Sequence, residues 1–399
     1  MPPPNERGWR SRSESDKKPQ ARWRLYHPFS DTGGRLMERL LFEPQDTLFF
    51  RDGRPFNQGE GNAGVESLFP PSPRTMVGAA RVAWARARGW AGKGRWIDAI
   101  GSDLGGDESE LVGLNFYGPL LELDGELVFP APASLIGIDD SKDCPQKTIL
   151  LHPGPPMHCD LGDSVQLPVP DVNDDIKGRK LLDGWYLIKT GLEKVLKGES
   201  PDRTDWVKQS SLWVNEPKVG NQISSETGTT EQGMLYSTRH IRLQDGVKLV
   251  MGIEGDLEGF PDETQIPLGG EARSAWLSKK TDGLSLPSLQ LAADGENLRY
   301  AIHVLTPLNP KKPPEPGQKE FEGLPGKVIS ACLPRVQRWG GWDSKSFQPD
   351  PIKPHLAPGS VIFIEAKASE IQNIQKYHGK NIGQRKSWGF GLITIGQWN

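Results

Sequence analysis

The sequence predicts an α+β fold of many short strands and few long helices, divided into two domains. Three observations carry this. The chain has 399 residues, room for two domains of ordinary size. It is 35% hydrophobic and 25% charged, enough apolar material for a globular core. It holds 46 Gly and 35 Pro, about a fifth of the chain against an ordinary share of about 12%, which favours loops and insertions over long helices.

Taken in order, residues 1–37 are polar, with Pro, Arg and Ser and no hydrophobic period, and read as a disordered or loosely held basic arm. The first domain is expected over 38–198. It opens with a short apolar strand at 40–42 that stops at Pro44. A Phe-rich run leads into a basic turn, Arg51-Asp-Gly-Arg-Pro-Phe56, and then a glycine-rich loop. Ser72-Pro73 opens a helix: Ser is expected to accept an orphan amide, and Pro suits the first turn because its missing N–H has no partner to lose. Arg74, Arg81 and Arg88 are spaced by seven, which comes within about 20° of two full turns, so their guanidinium groups should form one stripe. Gly78 lies close to that stripe, where a missing Cβ lets a backbone approach. Met76, Ala80, Ala83, Trp84 and Ala87 are the candidates for the buried faces. Strand-like runs at 114–123 and 127–129 follow. Region 139–180 is acidic, Pro-rich and without period, and reads as an insertion. Apolar spacing returns at 185–196, where Thr190 is placed to cap a short helix ending at Gly198.

The second domain, 199–399, begins its pattern near Trp206. A strand at 212–220 is interrupted by Pro217, and a polar loop, NQISSETGTTEQG, follows. Runs at 234–243 and 247–253 read as strands joined by a Gln-Asp-Gly turn. Residues 268–277 read as a loop entering a strand. Further strands are expected at 299–305, 361–365 and 391–395, with a short helix at 328–333. Many short strands with few long helices suggest packed α+β layers.

Charge is local rather than global. The net charge is −3, but 51–95 holds eight Lys/Arg against three Asp/Glu, and the stretch after it is acidic. An arginine stripe beside a Gly-rich basic loop is a plausible phosphate-binding surface. The three cysteines, Cys144, Cys159 and Cys332, are far apart, which suits a reducing compartment and gives no disulfide framework. His152, His158 and Cys159 fall in HPGPPMHC, a Pro-rich loop rather than a metal site. No apolar run reaches the roughly 20 residues needed to span a bilayer, and the first residues lack the apolar core of a signal peptide.

The pieces F-x-x-x-D-T-L-F-F-R-D-x-R-P-F (42–56) and L-F-P-P-S-P-R-T-x-x-G-A-x-R (68–81) resemble the RAMP superfamily of CRISPR effector proteins, specifically the third subunit of the type III-B Cmr complex. Later pieces extend the resemblance: Glu216-x-x-Val-Gly220, Thr227-Gly-x-x-x-x-Gly233-x-Leu-Tyr236, Leu268-Gly-Gly-Glu-x-Arg273, and the terminal Gly389-Phe-Gly-Leu-Ile-Thr-Ile-Gly396. It spans roughly residue 40 to the C-terminus. What it implies is two ferredoxin-like (RRM-like) domains side by side, with long insertions and a glycine-rich C-terminal loop. The implied role is a cytoplasmic, non-catalytic, RNA-binding subunit that holds the repeat-derived 5′ end of the crRNA. Its implied partners are the large polymerase-cyclase subunit, the backbone RAMP subunit and, through the assembled complex, target RNA. The sequence departs from the family pattern in its N-terminal arm, in the 139–180 region, and in Lys218, which stands where the E-x-x-V-G piece has Arg.

The residues placed on the RNA side are Arg51, Arg54, Phe56, Arg74, Gly78, Arg81, Lys218, Asn221, Arg239, Arg273, Arg385, Lys386, Gly389 and Gly391. The glycines would let main chain approach a sugar-phosphate strand, although a tight turn into the last strand explains them equally well. Phe56, Tyr236 and Trp339 are candidates for base stacking. Val336-x-Arg338-Trp-Gly-Gly-Trp342 puts Arg338, Trp339 and Trp342 in a Gly-rich loop, the residue types that interface hot spots favour. No stretch fits a phosphate-binding P-loop, and Gly389-x-Gly391 precedes a strand rather than opening a helix, so it is no dinucleotide fingerprint. No cofactor or metal is expected. Two other readings stay open: a metal-dependent endoribonuclease using Asp46 or Asp52, and a scaffold with no RNA contact.

Overall fold

A computed structural model describes residues 24–26, 37–51, 67–94, 104–105, 110–139, 143–160, 162–171, 176–223, 229–343 and 348–398; along 24–26, 221–223, 230–236 and 342–343 it describes the main chain alone. Arg54, Phe56 and Asp52 lie outside the described residues, as does most of the expected N-terminal arm.

Two antiparallel sheets organise the chain. The first runs Trp206–Lys208, Trp185–Ile188, Glu126–Pro130, Leu114–Leu123, Val247–Gly255, Glu38–Pro44, Ser274–Lys280, Glu263–Pro267, and Trp388–Gly389 adds a short parallel pairing to Leu114–Leu123. The second runs Lys327–Cys332, Val361–Lys367, Asn297–Val304, Ile393–Gln397. Both repeat one pattern. Numbering Leu114–Leu123, Val247–Gly255, Glu38–Pro44 and Ser274–Lys280 of the first sheet, and the four strands of the second, by chain order, the spatial order is second, third, first, fourth. In the first unit one helix, Pro73–Ala87, follows the first of these strands. After its third strand, 256–273 carries the strand Glu263–Pro267 instead of a helix; Pro261, Pro267, Gly269 and Gly270 break helical propagation there. The second unit lacks the first helix, because Pro307, Pro310, Pro313, Pro314 and Pro316 crowd that connection. Its second helix is the single turn Ile371–Gln375.

The expected boundary near 198 falls inside the first sheet. Val247–Gly255 and Ser274–Lys280, expected in the second domain, flank Glu38–Pro44. The physical reason is the apolar run Leu249-Val-Met-Gly-Ile253, buried on both faces, which suits a central strand. The sheets part between residues 280 and 297.

Each face of the first sheet has its own core. Leu40, Phe42, Phe116, Leu249, Met251 and Leu277 pack with Met76, Val77, Ala80, Ala83 and Trp84 of the Pro73–Ala87 helix. Alternate residues Leu41, Tyr117, Leu120 and Val250 pack with Leu192, Val195 and Leu196 of the Lys189–Leu196 helix. Burying a side chain such as Phe42 contributes about 1.5–3 kcal/mol. In the second sheet, Tyr300, Ile302, Ile362, Ile364, Ile393 and Ile395 face one core. Ala301, Phe363 and Trp398 pack with Ala133 and, in the insertion, Leu151.

Several local expectations change. Lys327–Cys332 is a strand, not a helix: Val328, Ile329, Ser330 and Cys332 are buried, and a bulge between Val328 and Ser330 sends Val328 to one core and Cys332 to the other, a short apolar run that periodicity alone cannot assign. Pro217 does not interrupt its strand, Trp213–Ile223; it pairs opposite Arg239 in a two-stranded hairpin with Thr230–Leu243, where an edge position tolerates a missing N–H. That hairpin runs on through much of the expected polar loop. The insertion holds short strands, among them Gln146–Leu150 paired with Leu135–Ile138. Ser72 precedes the helix, but its hydroxyl is buried without a partner rather than capping an amide. Thr190 lies inside its helix and donates to Asp205 at 2.9 Å. Among the described residues no helix is long and apolar enough to cross a membrane.

Candidate nucleic-acid interface

The chain leaves the first sheet at Pro44 and runs along the hairpin formed by Trp213–Ile223 and Thr230–Leu243. Leu48 and Ile241 exchange two main-chain hydrogen bonds of 2.8 Å, so the Phe-rich run lies against that hairpin. Phe49 stacks on His240 at 5.0 Å. The Phe49 carbonyl accepts from the Gly270 amide at 2.8 Å, and a Cβ on Gly269 would lie 2.5 Å from that carbonyl. The Leu268-Gly-Gly signature is therefore a packing device. Arg51 and Ser67 form an antiparallel bridge.

Asp46 sits at the base of the hairpin and gathers cations. Arg273 donates to it at 2.8 Å, Arg242 at 3.1 Å, and the Lys218 ammonium lies 3.8 Å away. Arg242 also donates to Glu216 at 2.5 Å, and Lys218 to the Thr47 hydroxyl at 2.9 Å. A hydrogen bond from the Thr47 backbone holds the Asp46 carboxyl below its ordinary value against some burial, and Arg242 and Lys218 add to this. Three cations against two carboxylates leave the cluster net positive. The pleat puts Lys218 on one hairpin face with Thr238, and Arg239 opposite Pro217 on the other; Arg239 is exposed. Burial, then Lys218 and Arg273, pushes the pKa of His240 down, which keeps this buried ring neutral.

A second cluster forms around Asp350 on the hairpin Gln337–Asp343/Gln348–His355. Asp350 pairs with Arg74 and accepts from both terminal nitrogens of Arg385 at 3.3 Å. The segment 67–73 links the clusters. Phe69 packs on Trp213 at 4.7 Å, and Pro70 and Pro71 line an apolar cleft with Trp339 and Pro307. Arg74 then opens the helix.

The sequence-derived sites divide accordingly. Lys218 and Arg273 come together at Asp46, whereas Arg239 lies on the other face of the hairpin and Arg51 bridges Ser67 through its main chain; Arg74 and Arg385 meet at Asp350. Arg81 does not join them. It is 4% exposed, donates to the Leu104 carbonyl at 2.9 Å and lies 5.0 Å from the centre of the Trp388 ring; Arg88 covers Trp84 at 5.9 Å. Arg74, Arg81 and Arg88 thus each pack on other parts of the chain, and Arg88 stands at the cap beyond the helix. Gly389 and Gly391 are also buried. Added Cβ atoms would lie 2.4 Å from the Gly118 carbonyl and 2.1 Å from the Ile382 carbonyl, and the Gly391 amide donates to Pro307. The close approach they permit is to the protein's own main chain. Lys386 is exposed, but its amide is held by Glu110 at 3.0 Å. Gly78 has open space where a Cβ would stand. Arg338 is exposed on a strand rather than a loop, and Trp339 is half-buried, its indole N–H donating to Gln337 at 3.0 Å. The side chains of Asn221, Tyr236 and Trp342 lie outside the described residues.

Sequence reasoning missed Arg242, Glu216, Asp350 and Glu110. Arg242 carried a weak signal, its alternation with Ile241 on a strand; Asp350 carried none, lying 276 residues from Arg74. A carboxylate ringed by three cations is a poor cation ligand on electrostatic grounds, which argues against Asp46 as a metal site. Among the described residues no group of three His, Cys, Asp or Glu stands ready for a metal ion.

The profile of a family described as CRISPR-associated protein (Cas_Cmr3) matches residues 40–398. No protein of curated function matches the chain. Among solved structures, it is similar to a chain of the Type III-B Cmr-beta complex bound to cognate target RNA and AMPPnP, at 16% identity over 84% of this chain and 88% of that one, TM-score 0.45. It is similar to a chain of the same complex bound to cognate target RNA, at 18% identity over 84% and 88%, TM-score 0.45. A chain of the Csm3–Csm4 subcomplex of the type III-A CRISPR-Cas interference complex matches at 11% identity over 91% and 99%, TM-score 0.33.

Proposed function

Because the chain belongs to the Cas_Cmr3 family of CRISPR-associated proteins, we propose that it is the RAMP subunit of a type III-B effector ribonucleoprotein that binds the repeat-derived 5′ tag of the crRNA. In this reading the two sheets are ferredoxin-like cores, each short of a helix, and the subunit does no chemistry itself. It docks to the large polymerase-cyclase subunit and to a backbone RAMP subunit, and meets target RNA only in the assembled complex. The family match carries the reading. The cationic base of the 213–243 hairpin supports it physically: a net positive cluster around Asp46 offers guanidinium groups that can exchange a carboxylate for a phosphate. The exposed Arg338 and half-buried Trp339 suit a protein partner.

Salt titration of RNA binding tests it. Arg239→Ala should reduce the magnitude of the log K versus log salt slope by about 0.7, the single-strand value for one phosphate contact. A slope that stays the same in Arg239→Ala and in Arg273→Ala would remove the hairpin from the RNA side. Trp339→Ala is expected to weaken capture of the large subunit while leaving RNA affinity unchanged.

A further inference from the structure

A second cavity lies away from both cationic clusters. It occupies about 480 Å³ between the outer face of the second sheet, the insertion and the end of the Lys189–Leu196 helix, within the usual range for small-ligand sites. Phe363 and Trp398 form one wall, their rings edge to face at 5.9 Å. The Trp398 indole N–H is pinned to the carbonyls of Tyr300 at 3.0 Å and Ile364 at 3.2 Å, so the wall is fixed before any ligand arrives. Ser134, Thr148 and Ser200 add hydroxyls.

One lining residue is left unfinished. His303 is 4% exposed and its Nδ1 has no hydrogen-bond partner; Thr394, directly across the ladder, has an unpartnered hydroxyl as well. Native interiors rarely leave two adjacent polar atoms unpaired. Burial, with His378 adding, takes the His303 pKa down to about 3, so the ring is neutral and acts as a hydrogen-bonding group rather than a cation. No Lys or Arg is among the described residues lining the cavity; its charged residue is Asp171, 84% exposed and paired with His152 at 3.0 Å. Arg299, over the Trp398 ring, is paired with Glu365. A phosphate would find no counter-charge here. A flat, neutral, hydrogen-bonding ring would find an aromatic wall, a neutral imidazole and hydroxyls along the rim. His303 and Phe363 also stand on the first and third strands of this sheet, the central pair from which RRM-type sheets offer aromatics to unstacked bases.

We propose that this cavity accepts one unpaired nucleobase, held among Phe363, Trp398 and His303. The inference stands apart from the tag-binding reading, since a free nucleoside and a base splayed from single-stranded RNA present the same chemistry. Saturation-transfer NMR of the full-length protein with the four ribonucleosides and their 5′-monophosphates tests it. At least one nucleoside should bind, and more tightly than its monophosphate. Thr148→Trp, which plugs the cavity, should weaken binding by about tenfold or more; if that variant unfolds, Ser200→Trp plugs it from an exposed position. His303→Phe keeps an aromatic ring and should change which base is preferred. RNA carrying 4-thiouridine or 6-thioguanosine separates the sources: crosslinks to peptides containing Phe363 or Trp398 identify a splayed RNA base, and nucleoside binding without them identifies a free nucleoside. Absence of both, binding that the plug variants do not alter, or monophosphates binding better than nucleosides would overturn the proposal.

Discussion

Gly391 shows how a residue chosen for one reason serves another. Its φ is +70° and a Cβ there would lie 2.1 Å from the Ile382 carbonyl. Gly391→Ala therefore meets both a left-handed backbone penalty and a clash with fixed main chain, and should cost more than about 3 kcal/mol. Chemical denaturation of the isolated protein measures this; a loss below about 1 kcal/mol would mean the loop relaxes freely. The need for glycine was legible in the sequence. What it approaches was not, because absence of a Cβ permits contact without saying with whom. The same limit applies to Lys218 and Arg273. Their charge was plain, but Asp46 as their shared partner depends on a turn and a hairpin that are far apart in the chain.

At the scale of elements, the Pro73–Ala87 helix was legible because Ser-Pro marks its start and Met76, Ala80, Ala83 and Trp84 mark its buried side. Its arginine stripe was legible as a direction only. Leu104, 23 residues on, and Trp388, near the C-terminus, cover Arg81, and spacing carries no trace of them. Arg81→Met keeps the packing volume but leaves the Leu104 carbonyl without its donor, so it should destabilise by about 1–3 kcal/mol. Thermal unfolding reads that cost. RNA affinity, measured well below the transition, should not change, and a shallower salt slope in this variant would show that Arg81 does reach a phosphate. The 328–333 segment failed for a different reason: six residues with small and β-branched side chains fit one turn of helix or one buried strand, and only pairing with Val361–Lys367 decides.

At the scale of the whole molecule, layers and strand-rich composition were legible from Gly, Pro and short apolar runs. The allocation of strands was not. A central strand such as Val247–Gly255 joins segments more than a hundred residues away, and linear order had assigned it to the wrong side of the boundary. The two buried histidines of the second sheet's neighbourhood give the molecule a defined acid response. Burial lowers His303 to about 3 and His378 to about 4 from an ordinary 6.5, so the unfolded chain binds protons that the folded one refuses. Their contribution is complete above about pH 6.5 and is withdrawn as pH falls toward the folded values. Between about pH 7 and about pH 5, urea unfolding should lose about 2 kcal/mol for each histidine. A midpoint that does not move across this interval would mean that one or both rings are solvated in the native state.

The parallel pairing of Trp388–Gly389 with Leu114–Leu123 ties the tail of the chain to the middle of its opening half. Four residues later, Ile393–Gln397 supplies the outer rail of the other sheet. One short stretch thus fastens both halves, like a belt whose buckle is stitched on last. Shortening the chain at about residue 380 would strip both at once, and neither half can be cut out as a self-sufficient module.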